Sequence, residues 1–301
     1  MSDWLPKSPA GRRWLGLAPS YIVIGIFMVI PMVIMAVFSF LEPNPYGGVK
    51  PVGSWAAYIK IAFEYDLEDK LVFNPGYLNI IWRSFQLSFG ATLLCLIFGF
   101  PVAYYITLQP ENRRNFYIYL VTIPFWTNLL IRTFAWIIIL GRGGVIEAPL
   151  LATGIIDDSL RMMYTDGAIA IGLTYSYLPL MVLPIYASLE KLDFRLLDAA
   201  SDLYANRLEI MTKVVIPLCK PGIIAGCILV FIPCVGAFIA PNLLGGGKKL
   251  MLGSLVQFQF ASARNWPFGG ALSMLLLSVV VIALIFYARA AKNRAALEGS
   301  A

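Results

Sequence analysis

The chain contains no histidine, and only 13% of its 301 residues are charged. The first absence removes the commonest general base and metal ligand. The second excludes an ordinary soluble domain, in which about a quarter of positions carry charge. Cysteine is scarce: Cys95, Cys219, Cys227 and Cys234 each lie in or beside an apolar run, and no pair has metal-ligand spacing. They read as small buried hydrophobes. No Gly-x-x-x-x-Gly-Lys-Ser/Thr phosphate loop occurs, so the chain carries no ATP site of that kind. Low-complexity tracts and internal repeats are also missing. The longest connection, 42–83, leaves no room for a soluble domain.

What remains is apolar: 59% of positions are hydrophobic. Six runs, 14–41, 84–108, 115–141, 167–189, 221–244 and 266–288, approach or exceed the roughly twenty residues needed to cross a bilayer. Backbone groups at membrane depth must pair internally, so these runs are expected to be helices. The expected fold is therefore an all-α integral membrane protein with six transmembrane helices, a single domain over 1–301. Lys7, Arg12 and Arg13 precede the first run, which is too long for a signal peptide and lacks a small-residue cleavage site. It reads as a retained span.

Six spans put both termini on one side. Lys and Arg are denser in 1–13, 111–114, 190–220 and 289–301 than in 42–83, 142–166 and 248–264, which favours cytoplasmic termini and a cytoplasmic 190–220 loop. Segment 42–83, rich in Pro, Gly, Trp and Tyr with a Glu64-to-Lys70 charge cluster, reads as a small ordered extracytoplasmic cap. Segment 142–166, with Gly143-Gly144 and Asp157-Asp158, is expected to hold short surface helices.

No Asp or Glu occurs inside any span. Ion-coupled carriers need intramembrane ionisable or coordinating groups, which weighs against a secondary carrier. A membrane-embedded enzyme would need a polar catalytic cluster, and none is visible. Arg132 is the one charge within a span. It either snorkels to the outer surface or pairs with a carbonyl or carboxylate in the bundle. Pro124 and Asn128 in the same span suggest a kink with a spare amide and a cavity-lining face. Trp126, Trp136, Tyr175 and Tyr177 offer π-faces to a cationic amine, with interfacial anchoring or core packing as the alternative.

The 190–220 loop is the polar exception. From Leu196 to Val215 the apolar residues 196, 197, 200, 203, 208, 211, 214 and 215 share a helical face, with Asp198, Asp202, Arg207, Glu209 and Lys213 largely elsewhere. Pro217 and Pro221 are expected to break this helix before the fifth span. Periodicity alone fits a helix lying on the membrane surface.

The order of residues is more specific. Asp198-Ala199-Ala200, a turn near Tyr204-Ala205-Asn206, then Ile216-Pro217-Leu218 and Pro221-Gly222 resemble the "EAA" coupling loop of permease subunits in binding-protein-dependent ABC importers. Ile123-Pro124-Phe125-Trp126-Thr127-Asn128-Leu129-Leu130-Ile131-Arg132 resembles the third-span signature of the spermidine/putrescine branch. Leu178-Pro179-Leu180-Met181-Val182-Leu183-Pro184-Ile185-Tyr186, Leu243-Leu244-Gly245-Gly246-Gly247 and Asn265-Trp266-Pro267-Phe268-Gly269-Gly270 resemble that branch too.

The resemblance implies a type I ABC importer permease fold and an ATPase-coupling role for Asp198, Ala199, Ala200, Asp202, Leu203, Tyr204, Ala205, Asn206 and Pro217. Small alanines allow close approach, and a carboxylate early in a helix suits its positive end. The implied partners are a second permease subunit (a sister chain, or a second copy), two ATP-binding subunits, an extracytoplasmic solute-binding protein and the lipid bilayer, with no nucleic acid. No cofactor is expected on this chain, ATP and Mg²⁺ being bound by the ATPase. The implied location is the bacterial inner membrane.

The implied solute is a polyamine such as putrescine or spermidine; an amino acid, another amine or a phosphonate is the alternative. A translocation path is expected along Trp126, Asn128, Arg132, Trp136, Tyr175, Tyr177 and Asn242, the last lying where the branch can carry an acid. One departure is mild, Asp198 for Glu. The other is Tyr204 where the family has Gly at a left-handed turn. Either the helix runs unbroken there, or the turn shifts to Asn206.

Overall fold

The structure, a computed structural model, describes residues 9–65, 70–156, 158–193 and 195–298. Asp66, Glu68 and Asp69 of the charge cluster, Asp157 and Lys7 lie outside these residues. In chain order, α1 (Pro9–Ile24) passes through a π-helical turn (Gly25–Val29) into α2 (Ile30–Ser39). Next come β1 (Leu41–Pro43), β2 (Val49–Gly53), α3 (Ala56–Ile59), β3 (Phe63–Tyr65) and β4 (Leu71–Phe73). Then follow α4 (Gly76–Thr107), α5 (Glu111–Trp126), α6 (Leu129–Leu140), α7 (Glu147–Ala152) and α8 (Asp166–Leu189). The chain continues through α9 (Arg195–Asp202), α10 (Arg207–Ile210), a second π turn (Met211–Val215), α11 (Ile216–Val235), α12 (Ile239–Leu244), α13 (Leu252–Ala261) and α14 (Trp266–Glu298).

Among the described residues, five helical stretches are long and apolar enough to cross a membrane, and α5 with α6 makes a sixth if the bent pair is one span. The fold class is as expected, but three helical extents differ. The third run is not one helix: α5 and α6 meet at 89° across Thr127 and Asn128. Helix continues from Arg207 to Val235, so Pro217 and Pro221 do not break it. It ends before 244, and α12 is a separate short helix. The proline outcome has a local cause. Proline lacks an N–H and its ring crowds the carbonyl four residues back. A π turn directly precedes both Pro31 and Pro217, and its wider winding relieves that conflict.

By its internal packing the chain forms two compact units. One runs to Pro75 and includes Val256–Val279. Here α2 approaches α14 closely, with Gly270 facing the Met35 carbonyl and the Ser39 backbone. Phe38 stacks on Trp266 with ring centroids 6.0 Å apart. The β1–β2 and β3–β4 antiparallel ribbons flank α3, and Phe40 packs on Trp55 and Tyr58.

The other unit holds Gly76–Leu255 and the chain from Val280. Its core is α4, α8 and α11 packed side by side. Lipid tails offer helices no hydrophobic incentive to associate, so close backbone approach through small residues supplies the packing. Met181 of α8, fully buried, is received by Gly99 of α4 and Gly226 of α11, where any Cβ would press on its side chain. Cys95, Cys219 and Cys234 are buried in this core and all four cysteines are unpaired, as small hydrophobes are. Buried hydroxyls bond to carbonyls one turn back, as Thr92 does to Ser88 and Thr107 to Ala103, both at 2.7 Å. The 142–166 connection holds α7, whose buried Glu147 accepts from Gly143 N–H at 2.7 Å and Leu160 N–H at 3.0 Å. The neighbouring Ser159 hydroxyl, then the Gly143 amide, hold that carboxyl below the usual glutamate range.

Candidate functional sites: a docking elbow and a broken span

The polar loop folds as two short helices meeting at an elbow. Asp193 opens α9 by accepting from Arg195 N–H at 3.0 Å, and Asp198 lies in the first helical turn. At the far end the Tyr204 N–H donates to Ser201 at 3.0 Å and the Ala205 N–H to Ala200 at 3.1 Å. This is the Schellman pair, which requires a left-handed residue, ordinarily glycine, just past the helix. Tyr204 occupies that position with φ +60°. Neither sequence-based alternative occurs: the helix breaks, and it breaks at Tyr204 itself. A left-handed L-residue costs about 1–2 kcal/mol.

Asn206 is extended and caps α10 instead. Its Oδ1 accepts from Glu209 N–H at 2.9 Å while Glu209 Oε2 accepts from Asn206 N–H at 3.0 Å, a complete capping box. Lys213 Nζ braces Glu209 Oε1 at 2.9 Å. The elbow presents Leu203, Tyr204 and Leu208 almost bare, at 82%, 97% and 75% exposure. Beside them lies a hollow of about 410 Å³ lined by Ala200, Leu203, Tyr204, Ala205, Glu209 and Ile210, among others. Asp198, Ala199 and Asp202 are exposed on α9, and Pro217 is exposed at the start of α11.

The second arrangement is the break in the third span. Thr127 and Asn128 are extended between α5 and α6, and Asn128 Oδ1 caps α6 by accepting from Leu130 N–H at 2.8 Å. The expected kink is therefore a full break, and the Asn128 carboxamide serves as its cap. Trp126 stands at the corner, 86% exposed. Arg132, one turn into α6, turns into the bundle: Nη1 donates to the Ser176 carbonyl of α8 at 3.4 Å. Its Nε is buried and has no hydrogen-bond partner among the described residues. Ser176 and Tyr177 line a cavity of about 120 Å³ with Leu129, Gly236, Phe238 and Ile239, among others. Trp136 and Tyr175 meet edge-to-face at 5.6 Å. Arg132, Tyr177, Trp136 and Tyr175 thus lie along the facing sides of α6 and α8. Asn242 sits on α12, outside the cavity lining.

A third cluster was not foreseen. Arg83 of α4 reaches Asp166 at the start of α8 through Nε at 3.1 Å and Nη2 at 2.7 and 3.0 Å. Lys249, from the α12–α13 connection, reaches the same carboxylate at 3.0 Å. Each cation lies 83 positions from Asp166, and such separations carry no local signal.

No protein-family model matches the chain. The spermidine/putrescine transport system permease protein PotB of Escherichia coli (strain K12) is 41% identical over 237 residues, which is 79% of this chain and 86% of that protein. The chain belongs to that family. PotB of Haemophilus influenzae is 42% identical over 221 residues, 73% of this chain and 77% of the relative. The inner membrane ABC transporter permease protein YdcU of Escherichia coli is 29% identical over 233 residues, 73% of this chain and 74% of that one. Among solved structures, a bacterial alginate ABC transporter in complex with an alginate pentasaccharide-bound periplasmic protein superposes with TM-score 0.69 at 16% identity, covering 91% of this chain and 92% of that one. The MetNI methionine ABC transporter follows with TM-score 0.51 at 17% identity, covering 72% and 94%. These likenesses carry the fold, that of ABC importer permeases. The PotB-family chain is thus a transport permease with an exposed elbow at Tyr204 and a broken third span.

Proposed function

We propose that this permease carries a small polyamine of the putrescine/spermidine class inward, driven by ATP hydrolysis in partner subunits. The observation that carries the reading is its identity to PotB across four-fifths of the chain, joined to an elbow whose apolar tip is bare. Two ATP-binding subunits take the elbows, one from each of two permease chains, and ATP with Mg²⁺ is bound there and not here. A solute-binding protein delivers the polyamine on the opposite side. The Lys/Arg bias supports cytoplasmic termini in the inner membrane of a bacterium, with 190–220 on the ATPase side.

The translocation path follows the broken span. Helix ends leave carbonyls and amides without intrahelical partners, and hydrocarbon cannot satisfy them. Non-helical backbone at membrane depth is tolerated only where protein or a water-filled cavity faces it. Trp126, Asn128 and Arg132 at the corner, with Trp136, Tyr175 and Tyr177 behind, therefore border the path, and Asn242 supports them from α12.

Uptake of labelled putrescine and spermidine by cells carrying the complete transporter, with and without ATP depletion, tests this. Saturable, ATP-dependent uptake that needs the binding protein is expected. Uptake that survives ATP depletion but collapses with an ionophore would overturn the ATP-driven reading. One observation favours a second solute class: Arg132, bonded to the cavity-lining Ser176, keeps an incompletely partnered guanidinium, which suits a carboxylate or phosphonate. Competition of amino acids and phosphonates, but not amines, with the transported solute would select it.

A further inference from the structure

We propose that Asp166 is an exchange site for a primary ammonium group, with the Lys249 side chain as its built-in competitor; the choice of a diamine as ligand rests on the polyamine reading above. The Asp166 side chain is 44% exposed, so its carboxylate is accessible from water. Its two cations are held unequally. Arg83 places two nitrogens on Oδ1 and a second contact from Nη2 on Oδ2, the fork geometry that makes guanidinium a fixed partner. Lys249 makes one contact to Oδ2, at 3.0 Å, from a flexible stem.

That stem is four methylenes ending in an ammonium, the chemistry of one end of 1,4-diaminobutane. A position that accepts Lys249 accepts such a ligand, and the exchange replaces one ammonium by another without leaving Asp166 bare. The backbone around Lys249 allows it to leave. On one side the Tyr164 N–H donates to the Leu244 carbonyl at 2.9 Å and the Tyr164 ring lies against Gly246. On the other, Met251 and Leu252 are fully buried and Leu252 N–H donates to Ser84 Oγ at 2.7 Å. Between these anchors run Gly247, at φ +70°, then Lys248, Lys249 and Leu250, outside any helix. A diamine on Asp166 therefore frees this short strap without disturbing α8 or α11. It does so at the end of the bundle where α4 and α8 begin, the side to which a binding protein would deliver solute.

The test is equilibrium binding of labelled 1,4-diaminobutane to the assembled transporter in nanodiscs, without the binding protein. Removing the competitor in Lys249→Met is expected to tighten binding about two- to five-fold, the range of a partly exposed ion pair. Asp166→Asn is expected to abolish this component, and 1,4-butanediol is expected not to compete. A gain of affinity cannot arise from misfolding, so Lys249→Met stays informative if Asp166→Asn fails to assemble. Unchanged or weaker binding in Lys249→Met, or full binding by an assembled Asp166→Asn, would overturn the exchange site. Polyamine-stimulated ATPase activity with the binding protein present reads the transport assignment separately. Stimulation without the Lys249→Met gain sinks only the exchange site, and the gain without stimulation sinks only the polyamine assignment.

Discussion

The chain breaks its helices twice in nearly the same way, and the two breaks have different consequences. At 127–128 and at 204–206 an Asn side chain caps the restarting helix, through Leu130 N–H at 2.8 Å and Glu209 N–H at 2.9 Å respectively. Each corner carries an aromatic ring turned outward, Trp126 and Tyr204. The surroundings differ. Around Tyr204 lie Asp202, Arg207, Glu209 and Lys213, and water can solvate whatever the Schellman bonds and capping box leave over. Around Trp126 the sequence is uncharged apart from Arg132, and hydrocarbon cannot do the same. On the reading proposed above, one local device thus makes a docking knob in water and a polar path wall within the bilayer.

The largest effect is expected where the aqueous elbow meets its partner. Ala200→Arg places a long charged side chain in the hollow between α9 and α10. It should abolish ATPase co-purification and uptake while the permease stays in the membrane; normal values of both would break the docking half of the comparison. Tyr204 separates side chain from backbone. Buried aromatic anchors at interfaces cost about 2 kcal/mol or more when truncated, roughly thirty-fold in affinity. Tyr204→Ala removes the ring and keeps the strain, whereas Tyr204→Gly removes both. Weakened ATPase binding in both variants is expected, with Gly the milder by up to the strain released. Full binding by Tyr204→Gly would show that the turn alone matters and that the ring is idle.

Much of this was legible in the sequence for physical reasons. Hydrocarbon thickness fixes span length, so spans reveal themselves as apolar runs, and an amphipathic stretch between them stands out. The position of the elbow was readable at Tyr204-Ala205-Asn206 because turn chemistry is local. Its conformation was not, because intrinsic strain argues against Tyr at φ +60° and only the surrounding hydrogen bonds impose it. The break at Asn128 was half visible: Pro124 and Asn128 signal a bend, but its 89° angle depends on the packing of α6 against α8 and α12. Pro217 misled because a preceding π turn can absorb a proline without ending the helix. Arg83, Asp166 and Lys249 were invisible as a group, since three residues on three elements meet only in the folded bundle.

The smaller effects come from the caps, and they test the comparison most directly. Asn206→Ala removes an N-cap in water, where solvent can replace the lost bond, so about 1 kcal/mol of local stability is expected to go. Faster hydrogen exchange across 207–212, with the transmembrane helices unchanged, would report it. Asn128→Ala removes the same kind of bond where the freed Leu130 N–H has poorer alternatives, so a loss toward about 3 kcal/mol is expected if the corner is dry. A loss near that of Asn206→Ala would mean that water reaches the corner in the resting state. The ratio of the two cap penalties therefore measures hydration at the third-span break. A ratio near one supports a water-filled path at Trp126, and a ratio well above one means that the corner is sealed by protein until the transporter turns over.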